Sequence, residues 1–508
     1  MLNQIYKKPL EHAPDKAAII FKDQSLTYRQ LDEATRQYAA TLSDLGVGYG
    51  DRVALFMGNC PELIELYLAC FFIGAVAVPL NDRFQTDEVI YACKKSTPRL
   101  IIMDNPRLSR AKNLRQTLGF LEHLYVLDAE AQGDVGSWPQ VVKPAIVSKN
   151  FQLPDNPDHP AMIMFTSGST SKPKGVTHTH KSILATAKSR QETQRLVEED
   201  VVLVGTLVCH GLASIGMSFP SIYTGATIVL LEIFEPAAWL ESVKKYRPTR
   251  AGLLPAQMLD AVNHEMAQSV DFSSLKEVMT GGGMVSHDLH DQFREATGFE
   301  LLETYGLTEC EGCCMLPYYE LVKPRSVGKP RDGVEIRLAD QTGNEVAPGD
   351  VGEIWIKSDS VMAGYWEDPE NTAKAFADGW LKTGDLARRD EDGYLYYTGR
   401  IKELIIKGGS NVSPGEVEDV LDDHPDVVIS GVLGVKDAHY GELIHAFVEL
   451  KPGLQMPATV EQLKQYMSEK LAAYKLPDRW TILEKLPRNK VGKIDRAGLY
   501  TMAAELNA

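Results

Sequence analysis

The segment MFTSGSTSKPKG, residues 164–175, gathers the groups that a polyphosphate needs around it. Ten of its twelve residues are Thr, Ser, Gly, Lys or Pro, and an apolar run leads into them. Gly168 and Gly175 let backbone amides come close to an anion. Thr166, Ser167, Ser169, Thr170 and Ser171 offer hydroxyl donors, and Lys172 and Lys174 supply positive charge. The pattern is not a Walker A loop, G-x-x-x-x-G-K-[ST]. Counted from Gly168, the second glycine would fall where Pro173 stands. A solvated Ser/Gly/Lys linker is the plainer reading; the strand-like run before the loop and the two lysines within it favour phosphate.

The chain of 508 residues is long enough for several structural units, and its 44% hydrophobic and 24% charged content is that of a globular enzyme. A net charge of −16 gives no general attraction for nucleic acid. Any nucleotide must be held by local cations. The seven cysteines are odd in number and scattered, which argues for a reducing compartment and a cytoplasmic protein without a disulfide framework. The start lacks the apolar stretch of a signal peptide, and AELNA at the end matches neither a peroxisomal nor a prenylation signal. The longest apolar run, residues 66–80, is shorter than the roughly 20 residues of a membrane span. It reads as a buried helix running into a strand.

The elements that must position the loop alternate between strand and helix. AAIIF (17–21) and SLTY (25–28) read as a hairpin. Thr27 and Gln30 have capping-box spacing before a helix whose apolar positions are Leu31, Ala34, Tyr38 and Leu42, with Gly46 or Gly48 as its stop. DRVALFM reads as a strand and PELIELYLACFFIG as a helix. The Pro/Asp-rich connector at 153–160 delivers the strand AMIMFT into the loop. Beyond residue 330 the strands VEIRL, GEIWIK and YLYYTG form a β-rich texture, and the helix at 413–425 has Ser413 as N-cap and Pro414 at its first position. The expectation is an α/β fold with mostly parallel strands. Residues 1–400 form a large N-terminal domain of mixed and parallel sheets with helices plus a β-rich subdomain. Residues 401–508 form a small, mobile α+β domain. No repeat or low-complexity segment is visible.

TSGSTSKPKGV resembles the phosphate-loop signature of the adenylate-forming superfamily: acyl- and aryl-CoA synthetases, adenylation domains and firefly-type luciferases. YGLTE (305–309), WLKTGD (380–385), GRIKELIIKGG (399–409) and PRNKVGKIDR (487–496) resemble four further motifs of that family, in its order and across nearly the whole chain. The resemblance implies two half-reactions: attack of a carboxylate on the α-phosphorus of ATP, then transfer of the acyl group from AMP to a thiol.

It implies roles residue by residue. Thr166, Ser167, Gly168, Ser169, Thr170, Lys172 and Lys174 would hold the β- and γ-phosphates. Gly281, Gly282 and Gly283, after the strand-like LKEVMT, would let adenine lie against backbone, where the plainer reading is a tight turn. Tyr305 resembles an aromatic that stacks on adenine, Thr308 would bond a phosphate oxygen, and Glu309 would bind Mg2+, which needs few protein ligands. Asp385 can accept from both ribose hydroxyls, and Arg400 resembles an arginine on the same ribose; an acid beside an arginine is otherwise a surface pair. Lys493 resembles the lysine that bridges the incoming carboxylate and the α-phosphate and lowers their repulsion. Lys402 holds the hinge position about which the small domain would rotate. Gly408 and Gly409 would line a pantetheine tunnel, and Tyr440 resembles an aromatic beside the second-half site.

His210 in VCHGLAS matches a position beside the acyl carboxylate. Gly211, Leu212, Gly252, Gly306, Glu311 and Gly312 would line the acid pocket with it, and so many glycines suggest an open one. Glu311 is odd there; it points outward or meets a polar substrate group. Cys310-x-x-Cys313 could be half a zinc site or a redox pair, but no second pair stands at ligand spacing. Pocket-lining thiols fit Cys310, Cys313 and Cys314 better, and His178 and His180 read as a segment following the loop, not as metal ligands.

The leading expectation is an ATP- and Mg2+-dependent acid–CoA ligase acting on a fatty or aryl acid, with CoA as co-substrate, no nucleic-acid partner, no transmembrane segment, and a homodimer left open. Loading of an acyl or aminoacyl group onto a carrier protein is the alternative. A luciferase-like oxygenase fits less well, and a non-catalytic nucleotide binder is disfavoured by intact Lys493 and Glu309.

Overall fold

The computed structural model describes residues 1–111, 113–142, 155–166, 173–282, 285, 287–407, 410–437, 440–451, 456–488 and 494–506. Two large sheets organise the first part of the chain. In one, the strands run Gly364–Tyr365, Lys174–Thr179, Pro160–Thr166, Val76–Pro79, Arg52–Phe56, Leu100–Met103, His123–Val126 and Gly136–Ser137. In the other, they run Lys329–Pro330, Cys310–Met315, Leu302–Leu307, Glu277–Gly281, Arg250–Leu253, Val201–Val204, Thr227–Leu230, Ala17–Phe21 and Gln24–Thr27. The apolar inner strands pair in parallel, as strands covered on both faces do. Pairing turns antiparallel where the candidate motifs lie: Pro160–Thr166 with Lys174–Thr179, and Leu302–Leu307 with Cys310–Met315. Each motif thus sits at the end of a hairpin.

The helix Pro61–Ile73 shows why the apolar run does not need a membrane. Every residue from Leu63 to Ile73 is buried, so the helix is apolar on all sides because protein surrounds it. Pro61 opens it and Gly74, at φ 72°, closes it in the left-handed conformation. Glu65 is the charged residue in that stretch, and burial pushes its carboxyl up to about 8. Among the described residues no helix is long and apolar enough to cross a membrane.

The helix Tyr28–Asp44 carries the expected capping box, with Thr27 Oγ1 accepting from the Gln30 amide and Gln30 Oε1 from the Thr27 amide. Its fully buried positions are Tyr28, Leu31, Thr35, Ala39, Thr41 and Leu42; Ala34 and Tyr38, expected in the core, are half-buried at its flank.

A third sheet joins Glu335–Ala339, Val351–Lys357, Trp380–Arg389, Phe376–Ala377 and Leu395–Arg400. After the short 3-10 turn Ile401–Glu403, a fourth sheet joins Ser410–Val412, Ile405–Lys407, Gly441–Leu450, Val427–Asp437 and Arg479–Leu483. The helix Pro414–Asp422 starts where expected, but Ser413 does not cap it with its side chain. The Ser413 hydroxyl instead donates to the Thr398 carbonyl across the turn. Gly415 abuts the same carbonyl so closely that a Cβ there would overlap Thr398 O. Arg325 and Asp423 form an ion pair across the same junction.

Candidate active site

The phosphate-loop residues 167–172 (Ser167, Gly168, Ser169, Thr170 and Lys172 among them), with Gly283, Gly408, Gly409 and Lys493, lie outside the described residues. The loop's two ends are described. Thr166 and Lys174 face each other as a paired rung, and Lys174 opens a strand that runs back along the first. Lys174 Nζ lies 4.6 Å from the centre of the Tyr365 ring, a cation–π contact. The Tyr365 hydroxyl donates to Glu309 Oε1 at 2.8 Å.

Thr308 and Glu309 form the turn between the strands Leu302–Leu307 and Cys310–Met315. The turn is pinned through its backbone: His178 Nε2 meets the Thr308 carbonyl at 2.7 Å, and the Met362 amide donates to the Glu309 carbonyl at 2.8 Å. Burial holds the His178 imidazole down at about 4, so it is neutral and donates through Nε2. The Thr308–Glu309 turn and the loop's exit strand thereby become one unit.

Asp385 is 2% exposed. It lies directly across from Arg400 in the pairing of Trp380–Arg389 with Leu395–Arg400. The pair is therefore no surface pair: the acid is buried and only the arginine reaches solvent. Asp385 Oδ2 accepts from the Tyr305 hydroxyl at 2.8 Å. Oδ1 lies 2.8 Å from Arg400 Nε, near enough for charge attraction but out of line for a hydrogen bond, so among the described residues its lone pairs have no partner. Burial pushes the Asp385 carboxyl above its ordinary range, with Arg400 opposing. Tyr305 is itself buried, its ring 6.0 Å from that of Tyr397. Lys402 is exposed in the 3-10 turn, and its ammonium is lowered first by desolvation and then by Arg400. Tyr440 is half exposed and lies on the small unit.

Gly281 ends its strand against Thr304: an added Cβ would sit 2.5 Å from the Thr304 carbonyl, so close strand packing alone accounts for this glycine. Gly282, at φ 74°, needs glycine for its left-handed backbone.

The acid-pocket set departs from the open cavity expected of it. At Gly211 a Cβ would come 2.7 Å from Glu311 Oε2, and at Gly312 it would run into the Arg190 guanidinium. At Gly306 it would strike the backbone of Gly312, and at Gly252 it would lie 3.1 Å from Met217 Sδ. The missing side chains make room for other protein atoms. Glu311 does not point outward; it is buried beside Arg190 and Arg331. Burial pushes its carboxyl up to about 6 while the two arginines pull it down. Arg190 is fully buried, drawn down to about 10 by desolvation, and its guanidinium nitrogens have no hydrogen-bond partner among the described residues. The segment from His210 continues through a half-buried Leu212 into a π-helical turn, Ser214–Ser218, below which this charge cluster lies. His210 itself reaches solvent; its Nε2 is 3.4 Å from Asn81 Nδ2, and surrounding protein lowers its imidazole.

The cysteines do not line a pocket. Cys310, Cys313 and Cys314 are fully buried in an apolar cluster with Tyr305, Val176 and Ile356. Among the described residues no group of three or more His, Cys, Asp or Glu side chains could hold a metal ion. Tyr365 and Arg190, which the motifs did not reveal, and His178, read there only as following the loop, contact the candidate residues Glu309, Gly312 and Thr308 respectively.

Known proteins resemble the chain along most of its length. Residues 7–366 match the family model of the AMP-binding enzyme, and residues 416–493 that of the AMP-binding enzyme C-terminal domain. The chain is 30% identical to a long-chain-fatty-acid–CoA ligase of Bacillus subtilis, over 97% of this chain and 92% of that one. It is 32% identical to a 2-succinylbenzoate–CoA ligase of Bacillus velezensis, over 95% and 94%. Its structure superposes on ATP-bound MatB from Rhodopseudomonas palustris with a TM-score of 0.89 and 28% identity, over the full length of both. The chain belongs to the AMP-binding enzyme family, the adenylate-forming superfamily, and is an AMP-forming acid–thiol ligase.

Proposed function

We propose that the chain joins a fatty or aryl carboxylic acid to coenzyme A through an acyl-adenylate. The observation that carries the site assignment is the convergence of Lys174, from the phosphate-loop hairpin, and Glu309, from the YGLTE turn, on the two ends of one side chain, Tyr365. Residues far apart in sequence thus form one locus with a cation on one side and a carboxylate on the other.

In the first half-reaction a carboxylate oxygen of the acid attacks the α-phosphorus of ATP; the bond to the bridging oxygen breaks and pyrophosphate leaves. The loop hydroxyls, Lys172 and Lys174 offset the charge on the leaving group. Lys493 bridges the two anions that must approach each other. Asp385 Oδ1 accepts from the ribose, with Arg400 holding the acid in its charged form. Thr308 would bond a phosphate oxygen, and Glu309 would supply a hard carboxylate donor suited to Mg2+, a cation that needs few protein ligands. Such a cation, when bound, neutralises phosphate charge. In the second half-reaction the thiolate of CoA attacks the acyl carbonyl, and AMP departs with the bonding electron pair. Residues 401–508 rotate about Lys402 between the halves, so that Lys493 leaves and the pantetheine arm enters past Gly408, Gly409 and Tyr440. The free state of all seven cysteines accords with a cytoplasmic, reducing setting.

Pyrophosphate release across a panel of fatty and aryl acids, with CoA, with carrier protein and with neither, tests this reading. Acid-dependent release that CoA accelerates is expected. Acceleration by carrier protein alone would replace CoA as the acceptor, and no acid-dependent release would overturn the ligase.

A further inference from the structure

Tyr365 lies outside every motif that carries the chemistry, yet it touches two of them. Its position is fixed by the sheet. Tyr365 pairs with Val176 in antiparallel register, the neighbouring Trp366 amide donates to the Gly175 carbonyl at 2.7 Å, and the Tyr365 amide donates to Thr372 Oγ1 at 2.9 Å. These bonds set the ring under Lys174 Nζ at 4.6 Å and bring the hydroxyl to Glu309 Oε1 at 2.8 Å.

The plainer account is that a tyrosine and a glutamate merely satisfy each other. Two facts speak against it. Glu309 is only half-buried, so water could satisfy its carboxylate without help. The Thr308–Glu309 turn is already pinned through its backbone by His178 and Met362, so the phenol is not needed to hold the turn. What the hydroxyl does fix is the carboxylate's rotation. It occupies Oε1, and among the described residues no other group bonds the Glu309 carboxylate, which leaves Oε2 as the oxygen that can face the nucleotide.

We propose that Tyr365 is a positioning residue of the adenylation half-reaction: its hydroxyl orients Glu309 toward the magnesium of the nucleotide and its ring seats Lys174 on the phosphate side. The assignment rests on the ligase reading and on Glu309 as the metal-side acid. It makes one side chain set the spacing between the cation and the carboxylate that flank the triphosphate.

Two variants of the full chain separate the two contacts. Tyr365→Phe keeps the ring and loses the hydroxyl; Tyr365→Leu loses both. For Tyr365→Phe the magnesium concentration giving half-maximal acyl-adenylate formation should rise about tenfold, as expected for loss of a hydrogen bond to a charged group. Its KM for the acid, and its affinity for ATP measured calorimetrically in EDTA, should match wild type. Tyr365→Leu should also bind metal-free ATP several-fold more weakly, because Lys174 loses its seat. A Tyr365→Phe enzyme with the wild-type magnesium requirement, or with its acid KM raised in parallel, would overturn the proposal. It decides the hydroxyl's role even where the leucine variant misfolds. Glu309→Gln serves as the control: if that change leaves the magnesium requirement untouched, Glu309 does not serve the metal and the proposal falls with it. A wild-type chain that forms no acyl-adenylate would remove the ligase reading itself.

Discussion

Asp385 and Tyr305 stand on different sheets and are joined by a hydrogen bond of 2.8 Å from phenol to carboxylate. The bond commits one oxygen of a buried acid and leaves the other beside Arg400. Asp385→Asn keeps the shape and loses the charge, so the Arg400 guanidinium is left without its partner. ATP affinity should fall at least about tenfold, the scale of a charge-assisted hydrogen bond. Tyr305→Phe should cost less, since Arg400 still holds the acid. Calorimetric titration of ATP into each variant checks the order; equal losses would mean that the two residues act only through a shared packing.

Glu65 gives a pH dependence with a definite sign. Its folded carboxyl is raised to about 8, above its unfolded value of 4.5. The proton it retains contributes stability that is fully present below the unfolded value and is lost as pH rises through the folded one. Between those values the loss is about 1.4 kcal/mol per pH unit. The melting temperature of the wild type should therefore decline between pH 5 and 8 more steeply than that of Glu65→Gln. Parallel curves for the two proteins would show that Glu65 is not the group being titrated.

Arg190 and Glu311 should be coupled. Removing either leaves the other as a buried charge with one compensating partner fewer, so Arg190→Met and Glu311→Gln should each destabilise by about 3 kcal/mol or more. The double variant should lose less than their sum, with a coupling of roughly 1–3 kcal/mol in urea unfolding. Strict additivity would place the two charges in independent surroundings. Gly211→Ala probes the same cluster from the other side, because its methyl would press on Glu311 Oε2.

Lys493→Ala should abolish adenylate formation by a factor of about a thousand, the scale for removing one electrostatic stabiliser of a transition state. Thioester formation from supplied acyl-AMP should proceed almost unchanged. Stopped-flow measurement of each half-reaction distinguishes these, and equal loss in both would reassign the lysine.

Local signals in the sequence were faithful where one segment settles its own structure. Thr27 with Gln30 makes the capping box, and the run at 66–80 becomes a buried helix and strand. Glycines were misleading because a sequence shows that a side chain is missing but not what fills the space. Around Gly211 and Gly312 the space belongs to Glu311 and Arg190, which come from a strand and a helix distant in the chain. Tyr365 was invisible for a similar reason. It sits on a two-residue strand, and its partner Glu309 is 56 positions away. The cysteines misled because close spacing suggests a site, whereas their strand is covered on both faces and buries all three.

Gly415 has a meaning beyond packing. It touches Thr398 across the 3-10 turn that separates the third sheet from the fourth, and a single methyl there would not fit. Gly415→Ala is then a wedge that raises the free energy of the arrangement in which Gly415 meets Thr398. If the chain exchanges between arrangements about Lys402, the wedge acts as an effector without a binding site and tilts the resting population. The ratio of the two half-reaction rates, measured in one enzyme under one set of conditions, should move with it.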